Sequence, residues 1–132
     1  MIIDKCRNRE EFKRLYESRP LPSQYDLNWL LDNPNLFCFY DENTGVLMAY
    51  ATVQKECGDL TFSGASVPKN MPNVIDAIIK VCDAFDENIY AYTRLKHARL
   101  VLKKAGFVHL EGDKYVRFKN EKISSRIRKN NL

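Results

Sequence analysis

The feature that most constrains the fold of this chain is a change of hydrophobic period near Pro72. Three short apolar runs precede it, at residues 36–40, 46–55 and 60–65, and turn-forming residues separate them. Such runs predict the strands of an antiparallel meander. After Pro72 the apolar residues recur about every 3.6 positions, which predicts an amphipathic helix over residues 72–85.

The remaining elements follow from the same patterns. Helical spacing recurs at residues 10–17 and 25–32, before the meander, and at residues 97–105, after a short apolar strand at 89–93. Gly106 is typical of the residue that follows a helix end. The pattern of residues 108–118 predicts a closing hairpin. The link from strand through helix to strand is long enough for a right-handed parallel crossover. The fold class is therefore α+β, a mostly antiparallel sheet with one parallel crossover pair and flanking helices.

Length and composition predict one domain. The chain has 132 residues, of which 45% are hydrophobic and 29% charged, and this excludes a disordered or low-complexity protein. We expect a single domain over residues 1–118 and a basic tail over 119–132. No apolar run approaches the roughly 18 residues of a membrane span, and no signal peptide is visible at the start. The expected location is cytoplasmic, away from any membrane.

Charge falls mainly on the tail. Residues 119–132 carry five basic residues and one acidic residue, so they account for the whole formal net charge of +4. The body has no basic field that would attract nucleic acid. Two interpretations of the tail stay open, a solvated terminus and a short arm for phosphate or an acidic partner.

The four cysteines do not predict a metal site. Cys6, Cys38, Cys57 and Cys82 form no CxxC pair, and neither histidine lies near one of them. We expect no metal and free thiols. Cys38 and Cys82 lie in apolar segments and are expected in the core, whereas Cys57 lies at a turn and is expected to be exposed.

A local motif near the end of the chain resembles a known family. Residues 88–107 read NIYAYTRLKHARLVLKKAGF, followed by VHLEGDKYVRF. The positions of Ala98, Lys104, Gly106 and Phe107 fit the pattern A..lY.k.GF. Together with the order of elements, this resembles the GNAT (GCN5-related N-acetyltransferase) superfamily over roughly residues 36–118.

The resemblance implies a cofactor and a place for it. In GNAT proteins the fourth and fifth strands diverge, acyl-CoA lies in the opening, and its pyrophosphate sits at the start of the next helix. Here the fourth strand would be residues 60–66 and the pyrophosphate loop residues 67–74. This loop contains no glycine, and Pro68 and Pro72 each lack an amide donor. We expect free amides at Asn73, Val74 and Ile75. The residues predicted to bind acetyl-CoA are Ser66, Val67, Lys69, Asn73 and Val74.

The resemblance also implies an acid and a base. Leu102 stands where many members have the tyrosine that protonates the leaving thiolate, and leucine cannot do so. The alternatives for this acid are Tyr90, Tyr92 and Cys57, of which we select Tyr92. Glu56 is the carboxylate nearest the fourth strand and is the predicted base. Ser63 or Ser66 could instead orient a water.

Two functions are therefore expected as alternatives. The first is a GNAT-type N-acyltransferase that moves an acetyl or acyl group from acyl-CoA to the amine of a small molecule or a protein. The second is a binding or structural module that kept the fold and lost acyl transfer, similar to small GNAT-like proteins of which some are encoded by bacteriophages. Nucleic acid is a third, weaker expectation that depends on the tail.

Overall fold

The computed structural model describes residues 1–20, 23 and 25–119. Within these residues the chain forms seven strands and four helices. In chain order they are β1 (Ile2–Asp4), α1 (Arg9–Glu17), α2 (Leu27–Asp32), β2 (Leu36–Tyr40), β3 (Leu47–Glu56), β4 (Asp59–Ser66), α3 (Met71–Asp83), β5 (Ile89–Tyr92), α4 (Lys96–Lys104), β6 (Val108–Glu111) and β7 (Lys114–Arg117). None of the described helices is long and apolar enough to span a membrane.

All seven described strands belong to one sheet, with the order β1-β2-β3-β4-β5-β7-β6. Every neighbouring pair is antiparallel except β4 and β5, which run parallel on either side of the α3 crossover. The predicted fold class is therefore confirmed. The closing hairpin is also confirmed, and its second strand, β7, lies between β5 and β6.

Each face of the sheet has its own apolar core. On one face, α3 and α4 pack against β3, β4 and β5 through residues such as Val53, Phe62 and Ile89. On the other face, α1 and α2 pack against β2 and β3 around Phe12 and Tyr50, whose rings lie 4.8 Å apart. Burial of the apolar stripe of each helix holds the layers together.

Local signals start and end the helices. The Asn8 side chain accepts a hydrogen bond from the Glu11 amide and caps α1, and Asp26 caps α2 in the same way. Gly106 follows α4 with a φ of 96°, as predicted. Its amide donates to the Lys103 carbonyl, and the Phe107 amide donates to the Leu102 carbonyl. This pair of bonds ends a helix in a Schellman motif.

Three details differ from the sequence-based expectation. The strand β1 was not predicted, because a run of three residues is too short to show a period and pairs only with the distant β2. The helix predicted over residues 72–85 spans Met71–Asp83, and the one predicted from residue 25 begins at Leu27. The first residue of the predicted tail, Lys119, is anchored, since its ammonium lies 3.2 Å from the Asp86 carboxylate. Residues 120–132 lie outside the described residues.

The cysteines occupy the predicted environments. Cys38 and Cys82 are fully buried, and Cys57 is exposed at the turn between β3 and β4. Burial raises the pKa of the Cys38 thiol to about 12, so this thiol is an unreactive part of the core.

Candidate functional site

The sheet opens between β4 and β5. Leu60, Thr61 and Phe62 pair with β5, but the register between the two strands stops there. From Ser63 to Ser66, β4 continues to pair with β3 on its other side. Within the described residues, this part of β4 has no partner strand on the β5 side. The pairing between the two strands is therefore interrupted where the resemblance implied an opening, and this leaves a strand edge that can receive an extended ligand.

Gly64 lies in the unpaired part of β4 and brings it very close to β3. A Cβ atom at this position would lie 2.3 Å from the Tyr50 carbonyl oxygen. Atoms cannot approach so closely without displacement, so a side chain here would push the two strands apart. The absence of a side chain at Gly64 thus sets the path of β4 along the opening.

Arg19 reaches this opening from the segment that follows α1. Its Nη1 atom donates to the Tyr50 hydroxyl at 3.0 Å and makes a longer contact of 3.5 Å with the Gly64 carbonyl oxygen. Tyr50 is buried, and burial raises the pKa of its hydroxyl, an effect that the Arg19 hydrogen bond and charge partly oppose. Arg19 therefore places a half-buried positive charge beside the unpaired part of β4.

The loop from β4 to α3 is anchored at both ends. At its start, the Val67 amide donates to the Met48 carbonyl at 2.9 Å. At its end, Asn70 has a left-handed conformation, with φ 51°, and its side-chain amide donates to the Asp41 carboxylate. Asp41 also accepts amide bonds from Thr44 and Asn43, and these lower the pKa of its carboxyl group. The loop is thus tied to the β2–β3 hairpin.

The expected free amides at the start of α3 are not all free. The amides of Asn73 and Val74 both donate to the Asn70 carbonyl, at 3.0 and 3.1 Å, so the expectation was wrong for these two residues. It was also wrong for Ile75, which is the fifth residue of α3 and lies beyond the first amides that lack a helical partner. The reason is that α3 begins one residue earlier than expected, and its first turn closes on Asn70. Among the described residues, no backbone acceptor binds the amides of Lys69 and Asn70. The amides of Lys69 and Asn70 are therefore the main-chain donors that could bind an anion here.

The side chains of the predicted cofactor residues face different surroundings. Ser66, Lys69 and Asn73 are exposed at the end of the opening, whereas Val67 is half-buried against both cores. The Val74 side chain is 1% exposed and packs in the core, so it does not face the solvent. The structure therefore brings Ser66, Lys69 and Asn73 to one edge of the sheet.

Glu56 lies at the other end of the β3–β4 hairpin. It pairs with Asp59 beside the turn, whereas Ser66 pairs with Ala49 at the opposite end. Seven residues of extended chain separate these two positions, a distance of about 23 Å. The Glu56 carboxylate accepts hydrogen bonds from the Tyr25 hydroxyl and the Gln54 amide. The structure does not bring Glu56 to the residues predicted to bind the cofactor.

Tyr92 lies beside the opening. It is the last residue of β5, its side chain is 57% exposed, and it pairs with Lys114 of β7. Tyr90 points to the same face of the sheet, because residues two apart on a strand share a face. The Lys114 ammonium lies 4.9 Å from the ring centre of Tyr90 and 6.0 Å from that of Tyr92. Neither tyrosine belongs to the two apolar cores.

Two further basic residues were missed by the sequence analysis. Arg94 and Lys96 follow β5 directly, and both are exposed. The carboxyl ends of parallel strands meet at one edge of a sheet, so these residues share an edge with Lys69. The parallel crossover was predicted, and it could have identified this basic edge.

A second depression lies at the opposite edge of the sheet. It has a volume of about 450 Å³ and is lined by residues before and after the amino ends of β4 and β5, including Asp59, Glu87 and Lys119. Its charges are partly neutralised, since Glu87 pairs with Lys55 at 2.7 Å and Lys119 pairs with Asp86. It is separate from the opening between β4 and β5.

Comparison with known proteins identifies the fold. No protein-family model matches the sequence, and no curated protein matches it. A GNAT-family acetyltransferase from Bacillus anthracis aligns with a TM-score of 0.60 at 12% identity, over 86% of this chain and 84% of that one. A putative GNAT-family acetyltransferase from Bordetella pertussis aligns with a TM-score of 0.57 at 11% identity, over 82% and 86%. A protein from Thermus thermophilus aligns with a TM-score of 0.53 at 18% identity, over 85% and 92%.

The chain thus has the fold of GNAT acetyltransferases. The similarity covers most of each chain. This confirms the fold that the resemblance implied. At these identities the likeness concerns the fold, and the chemistry has to be argued from the residues of this chain.

Proposed function

We propose that the chain is an N-acyltransferase that moves an acetyl or acyl group from acyl-CoA to an amine. The observation that carries this proposal is the unpaired edge of β4 from Ser63 to Ser66. An extended amide-containing chain such as pantetheine can add to such an edge through main-chain hydrogen bonds. Bound acyl-CoA would supply the activated thioester, and the residues around the opening would bind and orient it.

The basic edge fits the phosphates of the cofactor. Lys69, Arg94 and Lys96 lie at the carboxyl ends of β4 and β5, and the amides of Lys69 and Asn70 lie in the same loop. Positive side chains and main-chain amides are the usual ligands of phosphate groups. Because Pro72 has no amide and Asn73 and Val74 use theirs within the helix, side-chain charge carries more of this binding than a glycine-rich loop would require.

The groups that could transfer protons lie on the face of the sheet that α3 and α4 do not cover. Tyr92 is an exposed hydroxyl beside the opening, and we propose it as the donor to the leaving thiolate. Thr61 pairs with Tyr90, so Ser63 and Tyr92, each two residues further along its strand, share one face of the sheet. On this face Ser63 would hold the water that accepts the amine proton. Glu56 stays a predicted base, although its position favours a structural role with Tyr25 and Gln54.

A binding or structural module without acyl transfer is the second candidate. The specific observation that favours it is the first turn of α3, where two amides are bonded to Asn70 and a third position is Pro72. Leu102 favours it too, because its buried side chain provides no hydroxyl at the position where many GNAT enzymes have a tyrosine.

Calorimetric titration of the full chain with acetyl-CoA and with CoA separates the two candidates. Binding at micromolar concentration, together with release of free thiol when amines are added, is the result expected of an acyltransferase. Binding without thiol release over a broad panel of amines would favour the module. No binding at millimolar cofactor would contradict the proposed function.

Charge reversal at the basic edge tests where the cofactor binds. We expect Lys69→Glu and Arg94→Glu each to weaken acetyl-CoA binding roughly tenfold, because each replaces an attraction to phosphate by a repulsion. The matched control is Lys80→Glu, which reverses an exposed charge in the last turn of α3. Equal affinities in all three variants would exclude this edge as the phosphate site. The measurement is the dissociation constant by calorimetry at fixed ionic strength.

A further inference from the structure

Among the described residues, the guanidinium of Arg19 has partners at its Nη1 atom and at no other nitrogen. Its Nη1 atom makes both contacts, to the Tyr50 hydroxyl and to the Gly64 carbonyl. Among the described residues, no hydrogen bond or ion pair involves its Nε or Nη2 atom. These two atoms form the side of a guanidinium that binds a carboxylate with two parallel hydrogen bonds.

A second cation lies across the opening. The last aligned residues of the two parallel strands are Phe62 and Ala91, and Ala91 pairs with Tyr115 of β7. Ser63 follows Phe62 and Lys114 precedes Tyr115, so Lys114 lies across the opening, two strands from the unpaired part of β4. The Lys114 ammonium rests near the rings of Tyr90 and Tyr92.

The acidic residues around this face leave both cations available. Asp113, beside Lys114, is paired with Arg99 at 3.0 Å. Glu111 lies opposite Lys114 in the register, but no ion pair joins them within the described part of the chain. The carboxylate of Glu56 is about seven residues of strand away from the open end of β4. On the face that α3 and α4 do not cover, the opening is therefore bordered by two positive charges, Arg19 and Lys114, and by the tyrosine rings near Lys114.

From this geometry we propose that the acceptor is a small amine that carries a carboxylate, such as a free amino acid, and that Arg19 binds this carboxylate through its Nε–Nη2 edge. The inference rests on the proposed function for the reaction, but the binding of the carboxylate stands on Arg19 alone. Lys114 adds a second attraction from the other side. A polycationic acceptor such as a polyamine would be repelled by the same two charges.

The two cations would also assist the chemistry of such an acceptor. Only the neutral amine attacks a thioester, and a positive environment lowers the pKa of a bound ammonium group. The described residues bring no carboxylate base to the opening, so this effect would partly replace one. The ammonium group would lose one proton to water, and the neutral amine would then attack the thioester carbon. The carbon–sulfur bond would break as the thiolate takes a proton from Tyr92, and the second proton of the attacking nitrogen would pass through water to the Tyr92 phenolate.

The test uses a series of ω-amino acids, from glycine to 6-aminohexanoate, and the corresponding amino amides. We expect the chain to bind at least one amino acid at least tenfold more tightly than its uncharged amide. Arg19→Gln is expected to remove this preference, and Arg19→Lys to retain part of it, since lysine keeps the charge but lacks the paired donors. Arg14→Gln, an exposed change on α1, is the matched control.

Tyr50→Phe provides a second variant. It removes the hydroxyl that orients Arg19 and keeps the buried ring, so it should reduce the preference for the carboxylate while leaving the chain folded. Circular dichroism checks folding in every variant. Equal affinity for acids and amides, an unchanged preference in Arg19→Gln, or a preference for polyamines would overturn the proposal.

Binding is measured by NMR titration of the full chain, without and with CoA. If acetyl-CoA does not bind but amino acids still bind through Arg19, the proposed acyl transfer fails and the carboxylate site stands. If thiol release proceeds equally with amino acids and amides, acyl transfer stands and the carboxylate site fails.

Discussion

At the scale of single residues, Gly64 determines the shape of the opening. Its neighbours on β4 carry side chains, but a Cβ at this position would meet the Tyr50 carbonyl at 2.3 Å. The same residue offers its own carbonyl to Arg19. Gly64 therefore has two roles. It allows β3 and β4 to approach closely, and its carbonyl helps to position Arg19, the residue that we assign to substrate binding.

We expect Gly64→Ala to destabilise the chain by about 1 to 3 kcal/mol, the usual cost of forcing an extra carbon into a packed site. Urea unfolding followed by circular dichroism measures this change. Ser63→Ala is the control, because the adjacent position already has a Cβ. A Gly64→Ala variant that unfolds at the same urea concentration as the parent would contradict the close approach of β3 and β4.

Arg19 shows why some site residues could not be found from sequence. Its partners, Tyr50 and Gly64, are 31 and 45 positions away along the chain. No local pattern marks such a contact, and the residue lies outside every motif of the GNAT resemblance. Tyr92 was selected from the available donors because Leu102 cannot donate a proton, and its role in acyl transfer stays a prediction.

At the scale of elements, α3 was predicted well in its extent and less well at its first turn. Its apolar spacing is strong, and Pro72 fits the first turn as expected. The left-handed Asn70 could not be anticipated, because this conformation is uncommon for residues other than glycine. It moves the start of the helix and uses the amides of Asn73 and Val74. A change of one residue in a helix start thus alters the predicted donor set.

The buried side chain of Arg117 connects β7 with the ends of α3 and α4. Arg117 of β7 is 8% exposed, its Nη1 lies 3.0 Å from the Asp83 carboxylate at the end of α3, and its Nε donates to the Ala105 carbonyl after α4. It also lies against Gly106. Arg117 therefore connects both helices to the closing hairpin, in addition to the apolar packing of the core.

Arg117→Met is expected to lower the free energy of unfolding by about 2 to 3 kcal/mol, because it leaves the buried Ala105 carbonyl without its donor and removes the positive charge beside the Asp83 carboxylate. Chemical denaturation gives the value. The control, Lys119→Met, removes an ion pair at the surface and should change stability within experimental error. Similar losses in the two variants would show that Arg117, although buried, contributes no more to stability than a surface ion pair.

At the scale of the whole molecule, the topology was largely predictable. Tight turns force neighbouring strands to pair, and a long crossover forces a parallel pair, so the central strands and their directions follow from spacing alone. Spacing does not predict two features of the sheet, which are the position of β7 between β5 and β6 and the addition of β1 at the edge. They depend on pairings between distant segments, which no local period encodes.

The opening is a property of the complete sheet, so its test is a measurement on the complete chain. Within β4, residues 60–62 have partner strands on both sides and residues 63–66 on one side. Amides that lack a partner exchange with solvent faster, so we expect faster hydrogen–deuterium exchange in the second half of β4. Acetyl-CoA should then slow exchange at residues 63–70 and leave the β6–β7 hairpin unchanged. The control ligand is acetate, which has the acyl group without pantetheine or phosphates. Uniform exchange along β4, without ligand, would mean that the sheet is closed in solution and would remove the basis for the cofactor site.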